Sequence, residues 1–173
     1  RGHSGKSAFI DPQRSITYGE LQQQTCRFAS GLLALGLKAE DRVALLLPDT
    51  IDFPVAFWGA VRAGIVAIPL NTWLKPEQYA FILADSRVSA VIADATLVAV
   101  LRDAIAATPS LRHVILAGDN AKGQPTLAGR TPVPFEAVCR MGRDDVFAAP
   151  TLSDEVAFWL YTSGSTGEPK GVK

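Results

Sequence analysis

Cysteine, histidine and methionine are scarce, at two, two and one in 173 residues. Cys26 and Cys139 lie far apart and have no CxxC or CxxH neighbour, which leaves neither a disulfide framework nor a zinc site. They are expected to be two buried or half-buried thiols. His3 and His113 are isolated and are expected at the surface or at a strand end, rather than as ligands or bases. Net charge is lacking as well: 17 Lys and Arg balance 17 Asp and Glu, so no whole-molecule field draws in nucleic acid or an anionic membrane. The longest uncharged runs, residues 63–74 and 156–167, hold twelve residues each, short of the roughly 20 needed to cross a bilayer as a helix. The opening RGHSGKSAFID has no apolar core of the secretory type, so a cytoplasmic location is expected. No internal repeat or low-complexity tract is present.

The remaining composition, 48% hydrophobic and 20% charged, fits one globular α/β unit and excludes disorder, collagen and coiled coil. Residues 7–10 and 15–18, split by Asp11-Pro12-Gln13-Arg14, read as a small hairpin. Thr17 and Glu20 form a T-x-x-E capping box, after which Leu21, Thr25, Phe28, Leu32 and Leu35 follow a 3.6-residue period up to Gly36, a C-terminal cap. Four continuous aliphatic runs follow, at residues 43–47, 65–68, 89–93 and 113–117. Strands apolar on both faces belong in a covered sheet. Helices are expected between them at 51–63, 76–85 and 96–107, with another at 135–141. The alternating order predicts a largely parallel sheet with right-handed crossovers and helices on both faces. Residues 118–134 read as a surface loop, and 156–161 as a last strand.

That strand opens into T-S-G-S-T-G-E-P-K, residues 162–170. Glycines let backbone N–H groups converge, hydroxyls add donors and a lysine adds charge, which together suit phosphate oxygens. Following a strand, the loop is expected outside a carboxyl end of the sheet, where open α/β sheets bind ligands. It is not a Walker A loop, because Pro169 precedes Lys170 and Gly171 follows it, and it lacks the G-x-G-x-x-G pattern. Gly5-Lys6-Ser7 mimics a Walker A tail, but residues 8–10 read as a strand where that motif needs a helix. No element able to hold the loop's far side is recognisable after it, so the sequence reads as cut inside a domain. Phe53, Phe57 and Trp58 are expected in the core, Trp73, Trp159 and Tyr161 are aromatics that either fill the core or approach a ligand, and the turn Pro69-Leu70-Asn71 suggests no function.

Y-T-S-G-S-T-G-E-P-K-G, residues 161–171, resembles the signature phosphate loop of the adenylate-forming superfamily, which includes acyl- and aryl-CoA synthetases, luciferases and peptide-synthetase adenylation domains. I-T-Y-G-E-L (16–21), R-V-A-L-L-L-P (42–48) and A-V-R-A-G-I-V-A-I-P-L-N (60–71) agree in order and content, so the similarity spans the chain. D-F-P-V-A-F-W-G-A (52–60), P-L-N-T-W-L (69–74) and A-F-W-L-Y-T-S-G-S-T-G (157–167) are most similar to the benzoate-CoA ligase group. The resemblance implies the N-terminal portion of the large, adenylating domain, with residues 1–173 stopping just after the phosphate loop and the small C-terminal domain absent.

It further implies an AMP-forming acid–CoA ligase that uses ATP, Mg2+, CoA and a carboxylic acid, expected to be benzoate or a related aromatic acid. The implied β/γ-phosphate contacts are Thr162, Ser163, Gly164, Ser165, Thr166, Gly167 and Lys170, with Lys170 steering as much as touching. Glu168 takes no role. The family's adenine segment, Mg-binding glutamate, ribose-binding aspartate, most of the acyl pocket and the catalytic lysine all follow this loop. No catalytic residue is therefore expected here, and the isolated chain is expected to be inactive. The alternatives are an adenylation domain that passes the acyl group to another acceptor, and a non-catalytic nucleotide-binding module. The intact hydroxyls and lysine argue against the latter.

Overall fold

The computed structural model describes residues 2–145, 147–163 and 169–172. It opens with an antiparallel hairpin of β1 (Ser7–Ile10) and β2 (Ser15–Thr17), which leads straight into α1 (Tyr18–Ala34). The strand after Lys6 rules out the Walker A mimic. Asp11 shapes the hairpin turn, its Oδ1 accepting the N–H groups of Gln13 and Arg14 at 2.9 and 2.8 Å. The capping box forms as expected: Thr17 Oγ1 accepts the Glu20 N–H at 3.2 Å, and Glu20 Oε2 accepts the Thr17 N–H at 2.8 Å. Gly36 ends the helical turn at φ +86°, a conformation that costs glycine nothing.

The central sheet holds β3 (Arg42–Leu46), β4 (Val66–Pro69), β5 (Ala90–Asp94), β6 (His113–Ala117) and β7 (Val133–Pro134), all parallel, in the order β4-β3-β5-β6-β7. The intervening helices are α2 (Asp52–Arg62), α3 (Pro76–Asp85) and α4 (Val98–Ala106), and α5 (Phe135–Met141) follows β7. The two-residue side-chain period of a strand divides the core in two. Val43, Leu45, Ile92 and Ile115 face α1, α2 and α5, while Ala44, Leu46, Val91 and Leu116 face α3 and α4. This is why the strands read as continuously apolar: both faces are covered. On the first face Phe28 of α1 stacks on Phe135 of α5, with ring centroids 4.3 Å apart. On the second, fully buried Tyr79, Ile82 and Leu83 of α3 lie against Leu101 and Ile105 of α4. No described helix is long and apolar enough to cross a membrane.

Four features differ from the sequence expectations. Within 118–134, Val133–Pro134 adds β7 to the far edge of the sheet, a two-residue strand too short to show a period. Residues 156–161 do not form one sheet strand. Only Phe158 bridges to the sheet, parallel to Ala67 of β4, with the Trp159 N–H on the Ala67 carbonyl at 2.9 Å and the Ala67 N–H on the Ala157 carbonyl at 3.4 Å. The chain then forms β8 (Leu160–Ser163), which pairs antiparallel with β9 (Pro169–Val172). So β9 is the element that holds the loop's far side, unseen in the sequence because P-K-G-V carries no strand pattern. Last, Trp58 is not core: it is 51% exposed, while its neighbours Phe53 and Phe57 are half-buried against the first core.

Candidate functional site

The order β4-β3-β5 reverses direction at β3, because the chain passes from β3 outward to β4 and returns to β5 on the other side. Open α/β sheets bind ligands beyond the strand ends at such a reversal. Two clefts lie there. One, of about 830 Å³, sits beyond β3 and β4 and has mainly apolar walls, Phe53, Leu70, Trp73 and Leu97 among them, with Asp49, Asn71, Thr72 and Thr96 as polar groups. Trp73 is 91% exposed, whereas Trp159 and Tyr161 are half-buried against the second core. The turn that suggested no function is held from inside: the buried Tyr79 hydroxyl donates to the Asn71 carbonyl at 2.8 Å, and Asn71 Oδ1 accepts the Trp73 N–H at 2.9 Å.

The other cleft, of about 630 Å³, lies beyond β5 and β6 and is charged, with Asp11, Arg14, Asp52, Asp94, Glu136 and Arg140 in its walls. Its groups are largely committed to the fold. Asp11 Oδ2 accepts the Ile51 N–H at 2.9 Å, which ties the first hairpin to the start of α2 and holds the Asp11 carboxyl below the ordinary range. Asp52 pairs with Arg14 at 2.8 Å. Burial pushes the Asp52 carboxyl up, the Arg14 guanidinium opposes the rise, and Glu136, Asp11 and Asp94 reinforce it.

Of the sequence-derived phosphate contacts, Thr162 and Lys170 lie on neither cleft's walls. Thr162 and Lys170 are direct cross-strand partners on the β8–β9 hairpin, and Ser163 pairs with Pro169. Thr162 and Lys170 are exposed, whereas Pro169 is buried. Gly164, Ser165, Thr166 and Gly167 lie outside the described residues, as does Glu168. The hairpin therefore brings one hydroxyl and one ammonium side by side at the base of the connection between the strands. Its first strand follows directly on Phe158, the residue that bridges in parallel to Ala67 of β4.

The expectations for the cysteines and for His113 are met. Cys26 is buried and Cys139 half-buried, both unpaired. Burial, reinforced by the Asp52 and Glu136 carboxylates, pushes the Cys139 thiol up to about 12. His113 is half-buried at the first position of β6, and burial first, then Arg112, lowers its imidazole from the ordinary value. Among the described residues, no group of three or more His, Cys, Asp or Glu is placed to hold a metal ion.

Fold and site together define a doubly wound α/β domain flanked by a hairpin with hydroxyl and lysine side chains next to its turn. The family described as AMP-binding enzyme matches residues 1–173, and the chain belongs to that family. It is 45% identical over 171 residues to a 4-hydroxybenzoate--CoA/benzoate--CoA ligase of Rhodopseudomonas palustris, covering 99% of this chain and 30% of the relative. It is 38% identical over 172 residues to a benzoate--CoA ligase of Thauera aromatica, covering 99% of this chain and 31% of the relative. Among solved structures, a benzoate CoA ligase from Burkholderia xenovorans LB400 superposes with a TM-score of 0.81 at 37% identity, covering 98% of this chain and 31% of that one. The chain thus spans about 30% of the length of these relatives. Its α/β fold is that of the N-terminal part of adenylate-forming enzymes.

Proposed function

We propose that the protein carrying this chain is an AMP-forming acid–CoA ligase for benzoate or a related aromatic acid. The observation that carries this reading is the 45% identity to a 4-hydroxybenzoate--CoA/benzoate--CoA ligase across nearly all of this chain. The intact T-S-G-S-T-G-E-P-K string supports it. A carboxylate is a poor electrophile. ATP converts it to an acyl-adenylate by attack of a carboxylate oxygen on the α-phosphorus, with pyrophosphate leaving. The CoA thiol then attacks the acyl carbon, AMP departs and a thioester remains.

In this scheme the hairpin serves the first step, in which negative charge builds on the departing pyrophosphate. Thr162 offers a hydroxyl donor and Lys170 an ammonium on adjacent strands, and Ser163 and residues 164–167 complete the set. Donors already aimed at the developing charge need no reorganisation, and one such donor is worth roughly 2–4 kcal/mol. The ammonium, on a flexible stem, also draws the polyphosphate in. Magnesium would neutralise the phosphate charge when bound. The described residues supply no ligand set for it, so none of these steps is routed through it. The chain alone, spanning about 30% of its relatives, is expected to show no turnover.

The test is on the full-length protein that carries this sequence, incubated with Mg-ATP, CoA and benzoate, each omitted in turn. The expected result is acid-dependent AMP and CoA-dependent thioester, with Lys170→Ala lowering kcat/KM for ATP at least about tenfold. AMP formed without any need for CoA would instead indicate an adenylating enzyme with another acceptor. ADP, or no turnover with any acid, would overturn the ligase reading.

A further inference from the structure

We infer that Tyr161 and Asp85 are positioning residues for the β8–β9 hairpin, fixing the side-by-side placement of Thr162 and Lys170. The inference rests on the reading of those two residues as polyphosphate contacts. The Tyr161 hydroxyl donates to Asp85 Oδ2 at 2.6 Å, a contact between residues 76 positions apart in sequence. Tyr161 sits on β8 next to Thr162, and its cross-strand partner is Gly171, next to Lys170. A Cβ at Gly171 would lie 3.3 to 3.5 Å from the Tyr161 ring and hydroxyl. The absence of a side chain at Gly171 therefore lets the tyrosine lie over its partner strand, and the ring spans both strands at the register position beside Thr162 and Lys170. From there it packs against the second core, as Trp159 does.

Asp85 is the last residue of α3, and that helix has no basic residue in its last turn. A carboxylate there faces the negative end of the helix dipole, so it does not serve the helix. Its hydrogen bond to Tyr161 is the local interaction that makes use of it. Because α3 is packed into the core through Tyr79, Ile82 and Leu83, the bond ties a two-stranded element, which alone is marginal, to a rigid part of the domain. Neither group touches the polyphosphate in this scheme. Both act by holding the register and orientation of residues that do.

The experiment uses the full-length protein with Tyr161→Phe, Asp85→Ala, the double variant and Asp85→Asn. The phenylalanine keeps the ring on Gly171 and removes only the hydroxyl, while the asparagine keeps an oxygen that accepts from it. Tyr161→Phe and Asp85→Ala are each expected to raise KM for ATP about three- to tenfold, with KM for the acid within about twofold of wild type. The double variant should be no worse than either single one, and Asp85→Asn should restore most of the loss. Unchanged KM for ATP in both single variants, additive losses in the double, or equal damage by Asn and Ala at position 85 would each overturn the inference. A wild-type protein that neither binds nor uses ATP overturns the polyphosphate reading beneath it, and that outcome is seen before any variant is made.

Discussion

Gly31 lies inside α1, in its last turn, where alanine would ordinarily stabilise a helix by about 1 kcal/mol. Here the opposite sign is expected. A Cβ at Gly31 would fall 2.1 Å from the Val138 carbonyl oxygen and 2.8 Å from Val138 Cγ1, both on α5. Ordinary contact begins near 3.4 Å, so α5 must retreat by more than an ångström, and its carbonyl cannot rotate away as a flexible side chain could. That retreat also opens the Phe28–Phe135 stack at 4.3 Å. Overpacking costs roughly 1–3 kcal/mol, and an aromatic pair contributes about 0.5–1.5 kcal/mol. After the propensity gain, Gly31→Ala should lose roughly 1–3 kcal/mol, or a few degrees of Tm in a domain of this size. Urea unfolding of the 173-residue chain, followed by far-ultraviolet circular dichroism, measures it, with Gln22→Ala on the exposed side of the same helix as the reference. A Gly31→Ala chain as stable as wild type would refute the close approach of α1 and α5.

Asp41 accepts the Ser89 hydroxyl at 2.7 Å, the Lys38 N–H at 2.8 Å and the Arg112 guanidinium at 2.6 Å. Burial raises its carboxyl, but these three partners outweigh burial and leave it below the ordinary value of 3.8. The stabilisation is therefore present above about pH 4 and is lost as pH falls through the folded-state value. Asp41→Asn should cost on the order of 1 kcal/mol at pH 7 and flatten the acid limb of stability against pH; an unchanged acid limb would count against the network. Cys139, with its thiol raised to about 12, and buried Cys26 should leave the folded chain unreactive to Ellman's reagent at pH 8 on the minute scale, with both thiols titrating in urea. Rapid reaction of one thiol in the folded chain would contradict that burial. Because the unfolded thiol ionises first, stability should also fall between about pH 9 and 12.

Much of the fold was legible because its signals are local. Thr17 and Glu20 announce α1 within four residues, Pro76 opens α3, and unbroken aliphatic runs mark the buried strands. What escaped depends on partners remote in sequence. Val133–Pro134 becomes a strand only because β6 offers it an edge, and Pro169–Val172 only because β8 does. Trp58 follows the helical period but falls on the side of α2 that no described element covers fully. Of the candidate site, residue types and order were readable as a motif, including Thr162, Ser163 and Lys170. The cross-strand pairing of Thr162 with Lys170 and the Tyr161–Asp85 bond were not, since nothing in composition links positions 85 and 161.

The outer flank of β4 carries one more lesson. Backbone groups along a strand alternate sides, and those of Ala67 point away from β3, where Ala157 and Trp159 satisfy them. The next residue on that side is Pro69, which has no N–H to offer, while the Leu70 N–H turns back to the Leu45 carbonyl at 2.9 Å. A foreign strand arriving at this border therefore finds one position already taken and the next without a donor. At this border the sheet is guarded against growing by addition of another strand, and the same proline that ends β4 withholds the donor such a strand would need.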